Sequence, residues 1–162
     1  MKLAGKHVLV LGLGESGLAC ALWCARNGAR MRVADTRAAP PYLAELRRRA
    51  ATADFRPGEF DKALLDGIDL LVLSPGLSPG MLAVIHARAA GIPVVGEIEL
   101  FAWALDDLNV RRDTRVIAIT GTNGKTTTTS LVGEMLRGVG LDGVVAGNIS
   151  PATLDVVMAR QD

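Results

Sequence analysis

Val8-Leu9-Val10-Leu11-Gly12-Leu13-Gly14-Glu15-Ser16-Gly17 is the stretch on which the fold turns. A continuous apolar run, suited to a strand covered on both faces, meets a glycine-rich turn. A segment of helical period then follows from Ser16 to Asn27 and is closed by Gly28. Glycines at 12, 14 and 17 permit a tight turn and close approach of the backbone to a diphosphate. The helix adds free N–H groups and the positive end of its dipole. Asp35 follows the next strand, Arg30 to Ala34, near the spacing of an acidic residue that reads a ribose or a base. Glu15 opposes simple diphosphate contact, because a carboxylate there repels phosphate unless it turns away.

Outward from this unit, strand-length apolar runs alternate with segments of helical period, the signature of βαβ units and a parallel sheet. Pro41 to Ala50 reads as a short polar helix whose Arg47-Arg48-Arg49 triplet suits a solvated face. Ala51 to Phe55 reads as a third strand and Asp69 to Leu73 as a fourth. Met81 to Ala90 is helical and closed by Gly91, Pro93-Val94-Val95 begins a fifth strand, and Glu97 to Leu105 is the next helix. Residues 1–105 are therefore expected to form a Rossmann-like α/β domain with a parallel sheet. Ser74-Pro75-Gly76 follows the fourth strand, at the carboxyl edge where ligands of such sheets collect, although spacing alone favours an ordinary turn.

Residues 106–114 are polar and charged and read as a linker. The pattern restarts with a strand from Arg115 to Ile119, which leads into Gly121-Thr122-Asn123-Gly124-Lys125-Thr126-Thr127 and a helix from Thr126 to about Arg137. Such a loop cradles phosphates with backbone N–H groups, while the lysine reaches the β/γ-phosphates and the Thr126 hydroxyl faces Mg²⁺. It is shorter than the usual P-loop, since Ile119 stands where the first glycine is expected. A cation at a helix N-terminus is unfavourable unless an anion accompanies it, which makes Lys125 the candidate catalytic residue. Val144-Val145 reads as another strand, Asn148 follows it at the same ligand edge, where spacing alone favours an ordinary turn, and Pro151 opens a last helix at its first position. Two strands and two helices bury too little surface to close a core. Residues 115–162 are thus expected to be the truncated beginning of a P-loop α/β ATP-binding domain, with an open face prone to self-association or disorder.

Composition bounds the rest. The 162 residues are 49% apolar and 22% charged, as in ordinary globular chains. Eighteen Lys+Arg against seventeen Asp+Glu leave a net charge of +1, which removes the electrostatic case for a nucleic-acid partner. No apolar run approaches the roughly 18 residues of a membrane span. Lys2 and the Val8–Leu11 run imitate a secretion signal, and Leu18-Ala19-Cys20 a lipoprotein site, but Gly12, Gly14 and Glu15 break the stretch. The expected location is cytoplasmic. Cys20 and Cys24, one helical turn apart with no histidine near, suit a buried core better than a metal site. Trp23 and Trp103 read as packing residues, and His7 and His86 have no triad or ligand partners by spacing.

A dinucleotide-type loop, a linker and a short P-loop together resemble the Mur ligases, the ATP-dependent amide-forming enzymes of peptidoglycan synthesis. Gly12 to Gly17, Asp35-Thr36-Arg37, Ser74-Pro75-Gly76, Gly96-Glu97-Ile98-Glu99-Leu100, the P-loop and Gly147-Asn148-Ile149 carry the likeness, closest to the D-glutamate-adding branch. The resemblance implies that ATP phosphorylates the carboxylate of UDP-N-acetylmuramoyl-L-alanine and that the amine of D-glutamate then displaces phosphate. It implies that Gly121, Thr122, Asn123, Gly124, Lys125, Thr126 and Thr127 hold ATP, with Thr126 toward Mg²⁺. Gly14, Glu15 and Ser16 would receive the UDP part, Asp35, Thr36 and Arg37 the uracil end, Ser74, Pro75 and Gly76 the sugar side, and Asn148 the diphosphate. The acidic metal ligand of the central domain, the modified lysine and the D-glutamate-binding domain are expected beyond Asp162. The chain alone should therefore bind UDP without turning over, whereas the whole enzyme is expected to be a monomer.

The rival enzyme class is an NAD(P)-binding oxidoreductase fragment, supported by Gly12, Gly14, Gly17 and Asp35, but it leaves Lys125 unexplained. A non-catalytic nucleotide-sensing module is a third reading. Another amide-forming ligase of the superfamily is a fourth, although its folate-glutamating members should lack Asp35-Thr36-Arg37.

Overall fold

The computed structural model describes residues 2–161, so the outermost residues of the two expected domains, Met1 and Asp162, lie outside it. Five strands, β1 (His7–Leu11), β2 (Arg30–Asp35), β3 (Asp54–Pro57), β4 (Leu70–Leu73) and β5 (Val94–Val95), form one parallel sheet in the order β3-β2-β1-β4-β5. The order reverses beside β1, which creates a crevice at the carboxyl ends of β1 and its neighbours. Six helices complete the described chain: α1 (Glu15–Arg26), α2 (Leu43–Arg49), α3 (Leu82–Ala89), α4 (Glu97–Asp107), α5 (Lys125–Gly138) and α6 (Thr153–Ala159).

Strand alternation sorts the core into two layers. Val8 and Val10 face α1, α4 and α6, while Leu9 and Leu11 face α3 and a short 3₁₀ turn at Lys62–Leu65. All four side chains are completely buried, each stabilising by roughly 1.5–3 kcal/mol relative to exposure. Cys20, Trp23 and Cys24 lie on the buried face of α1, as their spacing suggests. Burial pushes the Cys20 thiol well up and the Cys24 thiol up to about 12, so both stay protonated hydrophobes. On α2, Arg48 and Arg49 pair with Glu45 in solvent, the solvated face expected of the triplet.

Several boundaries differ from expectation. Helix α1 starts at Glu15, one residue early, and β3 lies at Asp54–Pro57, later than Ala51 to Phe55, because its ladder is set by β2 from Arg32 to Asp35. Helix α4 runs on to Asp107, into the expected linker, while Trp103 packs half-buried against the core as expected and donates to Glu99. Arg115 to Ile119 is not a strand. It has no ladder partner, and Val116 and Ile117 are about 60% exposed. Val144-Val145 is likewise unpaired, with Val145 packed over Gly133 of α5. Apolar sequence makes a strand only when a neighbour can accept its hydrogen bonds. The last helix begins at Thr153, so Pro151 precedes the Ala152 cap instead of occupying the first turn. Its Ala152, Leu154, Val157 and Met158 enter the same core as α1 and α4.

Candidate functional site

The first loop is held by its glycines at two points. Gly12 has a positive φ of 88°, donates its N–H to Ala34, and sits where a Cβ would press on Ser74. Gly17 lies so close to the loop that a Cβ there would overlap the carbonyl oxygen of Gly12. Gly14 caps α1 with extended backbone and open space where its Cβ would be, leaving the helix start accessible to a ligand.

Buried polar side chains wire the surrounding loops together. Ser74 Oγ donates to the Gly12 carbonyl at 3.2 Å, joining the β4 edge to the first loop. Asp35, 3% exposed, accepts the Leu13 N–H at 2.8 Å and the Arg37 N–H at 2.9 Å. Its two oxygens also take a fork of bonds from Arg37 Nε and an Arg37 terminal nitrogen, each at 2.8 Å. The Arg37 guanidinium holds the Asp35 carboxyl down to about 2, burial opposes this, and the backbone N–H groups of Leu13 and Arg37 add to the lowering.

These loops enclose a cavity of about 360 Å³. Every residue expected at the UDP substrate lines it: Gly14, Glu15, Ser16, Asp35, Thr36, Arg37, Ser74, Pro75, Gly76 and Asn148. Gly12, Phe60, Leu77 and Gly147 line it too. Gly147 and Leu77 adjoin expected residues, and Gly12 belongs to the glycine motif, so all three were within reach of the sequence. Phe60 carries no motif; only its place after β3, at the ligand edge of the sheet, points to it. The Glu15 carboxylate has turned onto the Ser150 hydroxyl, which donates to it at 2.6 Å.

The P-loop residues stand apart, since none of residues 121–127 lines this cavity and all are exposed. Gly121 and Gly124 have positive φ values of 150° and 73°, and Gly124 caps α5. Lys125 Nζ bends back to the carbonyls of Gly121 and Thr122, so the ammonium has acceptors of its own. The residues fit a phosphate: a helix start whose first N–H groups lack intrahelical partners, a left-handed glycine and a lysine lie within one turn. Among the described residues, no group of three or more His, Cys, Asp or Glu side chains is placed to hold a metal ion, and no helix is long and apolar enough to cross a membrane.

Fold and cavity together define a doubly wound, Rossmann-like α/β domain, open at the carboxyl ends of its central strands. Residues 6–96 match the family described as Mur ligase MurD-like, N-terminal domain, and the chain belongs to that family. Relatives named UDP-N-acetylmuramoylalanine–D-glutamate ligase include one from Aromatoleum aromaticum, 58% identical over 98% of this chain and 34% of its own length. Another, from Burkholderia thailandensis, is 58% identical over 91% of this chain and 31% of its own. The chain thus spans about a third of the length of the curated relatives it matches. Among solved structures, a murein peptide ligase from Psychrobacter arcticus aligns with a TM-score of 0.53 at 25% identity, over 88% of this chain and 28% of its own. A UDP-N-acetylmuramate:L-alanyl-gamma-D-glutamyl-meso-diaminopimelate ligase from Neisseria meningitides aligns with a TM-score of 0.51 at 28% identity, over 87% of this chain and 44% of its own.

Proposed function

We propose that the chain supplies the UDP-binding domain and the ATP-phosphate loop of a cytoplasmic ligase that adds D-glutamate to UDP-N-acetylmuramoyl-L-alanine. The observation that carries this reading is the single cavity that gathers all the residues expected at the UDP substrate, including Asn148 from beyond the P-loop. Thr36 and Arg37 read the uracil end, and Asp35 keeps Arg37 and Leu13 in place for them. The N–H groups at the start of α1 and Asn148 meet the diphosphate, with Ser74, Pro75 and Gly76 along the sugar. ATP supplies the phosphoryl group that turns the unreactive substrate carboxylate into an electrophile, and the D-glutamate amine then forms the amide as phosphate leaves. Residues 121–127 hold the ATP phosphates, Lys125 offsets their charge, and Thr126 offers its hydroxyl to Mg²⁺.

The chemistry of Asp35 speaks against the NAD reading. A carboxylate offers about four acceptor sites, and four N–H groups occupy those of Asp35, leaving none for a ribose diol. The test is a set of titrations in which Arg37→Ala and Asn148→Ala each weaken UDP binding by about tenfold or more, a loss equivalent to about 1.4 kcal/mol. Lys125→Ala should leave UDP binding intact and abolish binding of an ATP analogue. UDP affinity unchanged in both cavity variants would overturn the assignment.

A further inference from the structure

Gly147 and Asn148 close one side of the cavity, yet they lie between unpaired chain and the short helix α6, with no sheet ladder to fix them. Two carboxylates from the Rossmann-like half hold this stretch. Glu15, on the first turn of α1, accepts the Ser150 hydroxyl. Glu97, the first residue of α4 and only 6% exposed, accepts both the N–H and the hydroxyl of Thr153 through one oxygen. Thr153 is itself buried and is the first residue of α6, so Glu97 caps a helix other than its own. The negative charge suits the positive ends of both helices. Between the two ties, the Gly147 N–H donates to the Pro151 carbonyl at 2.9 Å and closes the turn that presents Asn148.

We propose that Glu97 is a positioning residue for the cavity: by docking Thr153 and the start of α6 it sets where Gly147 and Asn148 stand, and so tunes nucleotide affinity without touching the nucleotide. The geometry leaves little slack, because only Pro151 and Ala152 separate the Ser150 tie from the Thr153 tie, and Ala152 and Leu154 are completely buried. The affinity part of this inference rests on the cavity being the UDP site; the docking part does not.

The experiment uses the whole 162-residue chain and compares wild type, Glu97→Gln, Thr153→Val, Asn148→Ala and the Glu97→Gln/Asn148→Ala double variant. Backbone hydrogen exchange and calorimetric titration with UDP are the readouts. Glu97→Gln is expected to speed exchange across residues 147–156 by about tenfold, the scale of one lost charged hydrogen bond, with β1 and β2 unchanged. Thr153→Val should give the same pattern at smaller amplitude. UDP affinity should fall several-fold in Glu97→Gln and show no further fall when that change is added to Asn148→Ala. Such non-additivity separates positioning through Asn148 from a general loss of stability. Unchanged exchange at 147–156, loss of protection in β1 and β2 as well, or fully additive UDP effects would each overturn the proposal. If wild type fails to bind UDP, the UDP reading falls and the exchange data alone decide whether Glu97 docks α6.

Discussion

Asp35, Ser74, Glu97 and Thr153 are the buried polar or charged residues among those described, and each ties together segments that form or flank the cavity. Desolvating these groups is costly unless they are satisfied, so their bonds are as much structural as functional. Asp35 gives a prediction in pH. Its folded value of about 2 lies below the ordinary 3.8, so the unfolded chain binds more protons as acid is added. The stabilisation is complete above about pH 4 and is lost as pH falls through about 2. The shift corresponds to on the order of 1–2 kcal/mol once screening at the half-exposed Arg37 is allowed for. Urea unfolding of Asp35→Asn should therefore show lower stability than wild type at pH 7, with the gap narrowing toward pH 2; a gap independent of pH would contradict the assignment. At Gly17 the constraint is steric. Gly17→Ala should displace the first loop and abolish UDP binding, whereas Gly14→Ala, with open space around its Cβ, should fold normally; equal UDP affinity in Gly17→Ala and wild type would refute this. The glycine motif and Asp35-Thr36-Arg37 were legible because they combine special backbone needs with fixed spacing. Glu97 was legible as part of the Gly96–Leu100 motif and Thr153 as part of the last helix, but their pairing was not, since a bond across fifty-six residues leaves no local pattern.

At the scale of elements, alternating strands and helices through residue 105 could be read because the central strands β1 and β4 are buried along nearly their whole length and α1, α3 and α4 each bury an apolar face. The 3₁₀ turn at Lys62–Leu65 was invisible, being too short to show a period; Asp61 caps it by accepting the Leu64 N–H. The strands expected at 115–119 and 144–145 failed for a different reason. Their composition is right, but pairing is a property of neighbours, and none of the described strands lies beside them. Helix α6 illustrates the reverse: a seven-residue helix, too short to persist alone, is stabilised by its buried face against α1 and α4. Leu154→Ala should cost about 2–4 kcal/mol in denaturant unfolding and weaken UDP binding by releasing Asn148. Full UDP affinity in that variant at a temperature where it remains folded would separate α6 from the cavity.

For the whole molecule, apolar exposure is concentrated beyond residue 115. Leu131, Met135 and Val139 on and just after α5 are 59%, 70% and 72% exposed, and Leu141 and Val144 lie exposed in the segment that follows. An apolar face of this kind favours contact with another surface over water. Sedimentation of the chain should show association that grows with concentration and is reduced in Leu131→Glu/Met135→Glu; a single non-associating species for both would contradict this. The cavity at the start of α1 is the candidate UDP site. Calorimetric titration of the chain with UDP and, separately, with NAD tests it most directly. Saturable binding of one UDP per chain and no detectable heat of binding with NAD are expected; binding of NAD with none of UDP would contradict the UDP assignment.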